Sequence, residues 1–437
     1  MSFELAPAGD FLMAELADGV RFFGRRSEKF KTVNLGGFIH RPLTRETVTA
    51  TALAAQLLKR GCRGYPSTPA LTRRTEELFG AGLDSYVMKF GESQSVGLSL
   101  GVVDQTYLPE GAPDVLGDVL DLFFRVMTDP VTEDGGFRRD YFDQERDNLR
   151  RRIEGVINDK QRYARYRCLQ EMCPDEGYGL LELGRLEDLP DLQPSGVYDA
   201  YRQMLSDRPI DLVAVGVTDP AELADRLAGL VPRGTAPRPA IRATGAAPPP
   251  RQPREVVEEQ DVKQGKLVMG YRTGIIQGDP AYPALLGYNG VLGGFVHSKL
   301  FQNVRERAGL AYYAHSLVNG AKGFVVIESG VEPANYERAR EIIDHQLAAI
   351  RQGDISDYEF ESTRKALHNV IRQGEDDPSE MIAVKLAEVR TGRFKTVEER
   401  LREVAAVTRE DIIEVARRVT PDTIYFLRGR RKGGDGR

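Results

Sequence analysis

The sequence of 437 residues has no tryptophan, three cysteines and five histidines. The cysteines, Cys62, Cys168 and Cys173, are odd in number and widely spread, which excludes a disulfide framework. Cys168 and Cys173 could form half a metal site, but no second pair completes it. The histidines are His40, His297, His315, His345 and His368. No two lie three or four residues apart, the spacing that puts two ligands on one helix face. Neither H-E-x-x-H nor its inverse H-x-x-E-H occurs. A catalytic zinc needs about three protein ligands on rigid elements, and no such set stands out. Phosphate-binding glycine loops and the G-x-S-x-G elbow are missing too. No apolar run reaches the length of about 18 residues that a membrane-spanning helix requires. The start, Met-Ser-Phe-Glu-Leu-Ala-Pro, lacks the basic and apolar regions of a signal peptide. A cytoplasmic protein without membrane contact is therefore expected. The net charge of −5 is modest for the length. It argues against nucleic-acid binding, which needs a clustered basic surface.

Apolar residues make up 41% of the chain, enough for sizeable cores, and the length calls for more than one domain. Ser95 to Val102 alternates polar and apolar residues, as a half-buried strand does. After Pro113, Val115, Leu116, Val119, Leu120, Phe123, Val126 and Met127 form a helical stripe. Residues 233–254 are rich in Pro and Ala and read as an extended linker. Beyond the linker the order of elements returns. A strand over 324–330 corresponds to 96–102, and Pro333 opens a helix as Pro113 does. A strand over 424–429 matches 211–216. This repeat of about 215–230 residues spans nearly the whole chain. It predicts an α+β protein of two tandem homologous domains, 1–232 and 255–437. Each is expected to be a largely antiparallel sheet covered by helices on one face. The basic, Gly-rich tail from Arg428 is expected to be mobile.

The stretch 298–316 reads as a helix running out through Ala308-Gly309 into a strand. It places Arg305 and Tyr312 seven residues apart. A guanidinium fork and a phenol can hold a peptide backbone and bind a developing oxyanion. The plainer reading is a surface arginine and a core tyrosine. Tyr313, on strict alternation, falls on the opposite strand face and reads as structural.

The repeat, the linker and the pattern Gly293-Gly294 … Ser298-Lys-Leu-Phe-Gln-Asn-Val-Arg305-Glu-Arg-Ala-Gly-Leu-Ala-Tyr312 together resemble the pitrilysin/insulinase zinc metallopeptidases, which include the mitochondrial processing peptidase. The resemblance covers nearly the full chain. Active members carry H-x-x-E-H on the first long helix, a few residues before a glycine. Counting back from Gly61 puts Ala52, Ala55 and Gln56 at the histidine, glutamate and histidine positions. The third zinc ligand is a glutamate on a later charged helix, and Arg152 falls at its position. These residues cannot hold zinc or activate its water. Narrower similarities, in Glu145-Arg-Asp-Asn-Leu, Asn158-Asp-Lys-Gln-Arg-Tyr-Ala164 and Glu171-Met-Cys-Pro-Asp-Glu-Gly-Tyr178, point to inactive bacterial subunits, some named for elongation factor P modification or serving in ribosomal-peptide maturation.

The resemblance implies a non-catalytic, substrate-binding subunit of a heterodimeric zinc endopeptidase that cleaves peptides in a closed chamber. Zinc would belong to a catalytic partner subunit of the same family, with no cofactor in this chain. Arg305 would align substrate carbonyls and Tyr312 would help bind the oxyanion in trans. A homodimer is possible without the partner. The alternative is a peptide-binding or scaffold protein with no peptidase partner.

Overall fold

A computed structural model describes residues 4–430 apart from 235–236, 241–244, 247–249 and 251. Parts of the linker, and the tail beyond Arg430, lie outside the described residues. The chain is α+β and forms two compact units. They differ from the contiguous halves 1–232 and 255–437, because each half of the sequence gives one segment to the other unit. The first unit takes residues up to Glu154, those from Leu180 into the linker, and Gln373–Val397. The second takes Gly155–Gly179, the linker's end to Arg372, and the chain from Glu398.

Among the described residues, the first unit's main sheet has seven strands in the order Ala6–Ala8, Phe11–Ala17, Val20–Arg26, Ile210–Gly216, Thr32–Pro42, Ser93–Val103, Gly82–Phe90. Only Val20–Arg26 and Ile210–Gly216 pair in parallel. Helices Val48–Leu57, Val115–Thr128 and Pro194–Asp207 pack on one face. The helix Pro378–Thr391, borrowed from the second half of the sequence, packs against Ile210–Gly216 on the other. Its Met381, Leu386 and Val389 join Phe38, Val213 and Val215 in one apolar cluster. Ile210–Gly216 is therefore covered on both faces, and every residue of it is buried. Apolar residues on both faces, interrupted only by Asp211, suit that position.

The borrowed helix also meets a buried polar cluster. Asp211, fully buried, accepts two hydrogen bonds from Arg21, at 2.8 and 3.1 Å. His40 Nε2 lies 3.0 Å from Asp211 Oδ2, and His40 Nδ1 faces Ser95 Oγ and the Arg390 guanidinium. A donor on Nδ1 leaves the ring proton on Nε2, so the imidazole is neutral and donates to Asp211. Burial, and then Arg390, hold the His40 pKa down at about 4. This has a pH consequence. The unfolded chain takes up the imidazole proton near pH 6.5, which the folded chain resists until about pH 4. Stability from His40 is thus complete above pH 6.5, falls as pH drops toward 4, and is flat below. The loss is about 3 kcal/mol. Urea unfolding between pH 7 and pH 4 should show this slope, and His40→Gln should flatten it. An equal slope in the variant would rule out His40 as its source.

In the second unit the strand order is Arg254–Gln260, Thr420–Gly429, Gly265–Arg272, Phe324–Val331, Ala311–Asn319. Only the first pair is parallel. Helices Tyr282–Asn289, Tyr336–Arg351 and Arg409–Arg418 cover one face, packing Leu285, Ile343 and Val415 against Leu267, Met269, Val325 and Ile327. Each such fully buried side chain contributes about 1.5–3 kcal/mol relative to exposure. Part of the other face is covered by Lys160–Met172, borrowed from the first half, whose Ala164, Cys168 and Met172 rest on Val268, Val326 and Tyr425. The segment after it is held by charge. Arg272 and Lys322, both buried, bind Glu176, and Asn319 donates to the Tyr178 hydroxyl. The Glu171–Tyr178 motif thus serves as the seat of a borrowed segment. All three cysteines are free and buried.

Candidate functional site

Val48–Leu57 is among the most enclosed helices of the first unit. Nine of its ten residues are buried, and its carbonyls are met by side chains of the sheet. Ser85 Oγ donates to the Ala55 carbonyl at 2.8 Å, and Gln94 Nε2 to that of Val48 at 2.9 Å. Ala52 and Ala55 are fully buried and offer no donor atom to a metal. Gln56 is buried with its amide nitrogen unpaired. Arg152 does not join them. On the helix Arg139–Asn158 the buried stripe is Phe142, Glu145, Leu149 and Ile153, and Arg152 faces outward. Glu145, the buried carboxylate of that stripe, is already taken by Arg60 Nε at 2.6 Å. Among the described residues, no group of three or more His, Cys, Asp or Glu is placed to hold a metal. The zinc that the family resemblance implies does not fit here.

This yields a direct prediction. The triple variant Ala52→His, Ala55→Glu, Gln56→His should bind no stoichiometric zinc, because Glu145 is neutralised by Arg60 and Arg152 points away. It should also lose about 3 kcal/mol or more of stability, since larger and charged groups enter a filled helix face. Metal content after zinc loading, with thermal melts, checks this. One tightly held zinc per chain would contradict it.

The Arg305–Tyr312 corner belongs to the second unit and is built on irregular backbone. Gly290–Gly294 and Phe301–Arg307 are π-helical, a form often found at functional sites. The wide turn is visible where Ala308 N reaches the Asn303 carbonyl, five residues back. Gly293 has a steric reason: a Cβ there would lie 2.6 Å from Ser316 N on the neighbouring strand. The helix is anchored from below by buried Leu300 and Val304, by Lys299 on Glu359 at 3.0 Å, and by Asn303 on Gln346 at 3.0 Å. Gly309, at φ +63°, turns the chain into the strand. Arg305 is left outward, its side chain 42% exposed, stacked 4.6 Å over Phe301 and 3.5 Å from Glu306.

Strand pairing decides where the tyrosines go. Ala311 pairs with Val331 and Ala314 with Ser329, so two residues, Tyr312 and Tyr313, oppose Gly330 alone. This is a β-bulge, which re-aims side chains at the edge of a sheet. Ala311 and Ala314 both face the helix-covered core. Tyr312 and Tyr313 therefore both leave on the other face, which corrects the alternation reading of Tyr313. Tyr312 is 79% exposed, so it is no core residue. Tyr313 lies across Gly330, where a Cβ would come within 2.6 Å of its ring. Beside them His315 pairs with buried Glu328, which Arg165 of the borrowed helix holds with two contacts. Sequence alone did not single out Lys266, Arg165 or Glu328, because three strands and a borrowed helix bring them together.

Comparisons with known proteins identify relatives of the chain. Residues 191–367 match the family described as peptidase M16 inactive domain. The chain is 34% identical over 414 residues to the probable inactive metalloprotease YmfF of Bacillus subtilis, covering 92% of this chain and 94% of that protein. It is 28% identical over 181 residues to the uncharacterized zinc protease YmxG of the same organism, covering 41% and 44%. A conserved protein of Enterococcus faecalis superposes with a TM-score of 0.88 at 30% identity, over 96% of this chain and 99% of that one.

Proposed function

Since the chain belongs to the peptidase M16 family as one of its inactive members, we propose that it is the substrate-binding subunit of a two-chain zinc endopeptidase. The observation that carries this reading is an asymmetry. The zinc positions Ala52, Ala55 and Gln56 are sealed in a core, whereas Arg305 and Tyr312 are outward on a π-turn and a bulge. Irregular backbone of this kind persists where a side chain must be aimed. A partner of the same family, carrying H-x-x-E-H, supplies the zinc and the general base. That Bacillus subtilis holds both an inactive relative and a zinc protease relative is in keeping with such a pairing.

In this chain the chemistry is binding and orientation. Arg305 offers up to two parallel N–H donors to carbonyls of an extended peptide and fixes its register. The Tyr312 hydroxyl has no hydrogen-bond partner among the described residues and is free to donate to the oxygen that gains charge as the peptide carbonyl is attacked. A closed chamber around the peptide selects extended substrates over folded ones and keeps bulk water out.

Reconstitution tests the reading. The chain alone should not cleave an unstructured peptide, and neither should the zinc-motif partner at comparable rate. The mixture should, with zinc found in the partner. Full activity in the partner alone, or stable homodimers of this chain that ignore the partner but bind peptide, would favour a peptide-binding scaffold instead.

A further inference from the structure

On the face of the second sheet that carries Tyr312 and Tyr313, one cation lacks a direct ion-pair partner among the described residues. Lys266 projects from the strand Gly265–Arg272, opposite Gly330. Its ammonium lies 5.5 Å from the centre of the Tyr313 ring and 2.8 Å from Gln264 Oε1. Gln264 in turn donates to the Gly330 carbonyl at 3.2 Å. Gly330 has no side chain, and the edge of the Tyr313 ring and Gln264 Oε1 fill the place where one would be. No carboxylate among the described residues is within ion-pair distance of Lys266. Of the acids on this face, Glu258 accepts from Tyr163 and Tyr425, and Arg165 takes both oxygens of Glu328, with Gln161 3.4 Å and His315 3.7 Å away. Asp159 accepts from the Arg162 backbone at 3.1 Å and acts on Lys266 only through space. His315 is held toward its neutral form by burial, so it adds no charge to the row near neutral pH. Glu328 is engaged by Arg165, and Lys266 is left without a direct ion pair. That cation is half-buried, and burial already works against its charged form. A partly desolvated ammonium with one neutral hydrogen-bond acceptor and an aromatic face beside it is poised for an anion.

We infer that Lys266 is a specificity residue, taking the carboxylate of an aspartate or glutamate in a peptide laid across this face beside Tyr312 and Tyr313. The inference rests on the proposed role of this corner as the peptide site and names the class of peptide: one with an acidic residue near the position that Tyr312 serves. The ring of Tyr313 is the wall of the subsite. Its edge-on packing over Gly330 fixes where the ammonium sits.

Two measurements separate this inference from the reading beneath it. In the first, one peptide is made in three forms, with Asp, Asn or Lys scanned through the positions around the cleaved bond. The chain with its zinc-motif partner should cleave the Asp form at one position at least about tenfold faster than the Lys form, the order of one charge-assisted hydrogen bond. Lys266→Met should abolish the preference and Lys266→Glu should reverse it. Should Lys266→Glu fold poorly by circular dichroism, Lys266→Met still decides. In the second, fluorescently labelled forms are bound to this chain alone and followed by anisotropy, which needs no partner. Cleavage that requires both chains but keeps its acidic preference in Lys266→Glu would overturn the role of Lys266 and leave the subunit reading intact. An acidic preference in binding that Lys266→Met removes, with no cleavage by any mixture, would overturn the subunit reading and keep Lys266.

Discussion

Tyr312→Phe should lower kcat of the reconstituted two-chain peptidase about 100- to 1,000-fold while leaving assembly and KM nearly unchanged. The reason is where the hydroxyl acts. Phenylalanine keeps the ring and its contact with the peptide, so ground-state binding is kept. What is lost is one donor aimed at charge that exists only in the transition state, and such a loss appears in kcat. Because Tyr312 is 79% exposed, the substitution removes no packing, and the fold should be untouched. Arg305→Ala should behave differently. It removes a fork that holds the peptide in both ground and transition states, so KM should rise as kcat falls. Arg305→Lys should recover little, since an ammonium cannot make the planar two-point contact. Steady-state kinetics with a quenched-fluorescence peptide, with complex formation followed by light scattering, checks both. Undiminished cleavage in Tyr312→Phe and Arg305→Ala would remove the pair from the mechanism.

The corner that holds this pair was legible in part. The helix exit at Ala308-Gly309, the outward arginine and the following strand are local features, set by sequence within a few residues. The direction of Tyr313 was not legible, because it is a property of pairing. Only the mismatch of Ala311–Ala314 against Ser329–Val331 reveals that two residues share one face. The π-turn is similarly hidden, since residue types barely distinguish a bond five residues back from one four back. Arg152 illustrates the limit of counting along a helix. The count gives a position, but the buried stripe through Glu145 and Leu149 gives the face, and the two disagree. Segment exchange was the largest feature to escape. The borrowed helix Pro378–Thr391 buries Lys385, Glu388 and Arg390 together with Met381, Leu386 and Val389. Charges on its inward side erase the amphipathic stripe by which a packed helix is recognised. Lys385 is satisfied by the Ala8 carbonyl at 2.9 Å and by Glu388, partners that only the folded chain provides. By contrast Val115–Thr128 faces an apolar sheet and announces itself by its stripe alone.

Those inward charges lead to the second large effect, on stability. Asp211→Asn should destabilise the protein by about 3–5 kcal/mol, the range for removing one partner from a buried ionic group. Asp211 is fully buried, is bound directly by Arg21 and His40, and acts on Arg390 through space, with His40 between them. With it neutralised, Arg21 can turn to water, since about a third of its side chain is exposed. Arg390 cannot. It is 5% exposed, two of its nitrogens already lack partners, and its pKa is pushed down to about 10, chiefly by burial. An uncompensated guanidinium would then sit under the borrowed helix, and its release to solvent requires that helix to lift. Hydrogen exchange should therefore speed up first in residues 373–397, ahead of the strands beneath. Arg390→Met makes the opposite change at the same place. It removes the buried cation, leaves the Asp211–Arg21 pair whole and fills the space with an apolar chain, so it should cost less than about 1 kcal/mol. Urea unfolding of the two variants gives the comparison. If Arg390→Met proves as damaging as Asp211→Asn, the guanidinium is itself the latch, and the borrowed helix is held by charge rather than by the apolar contacts of Met381, Leu386 and Val389.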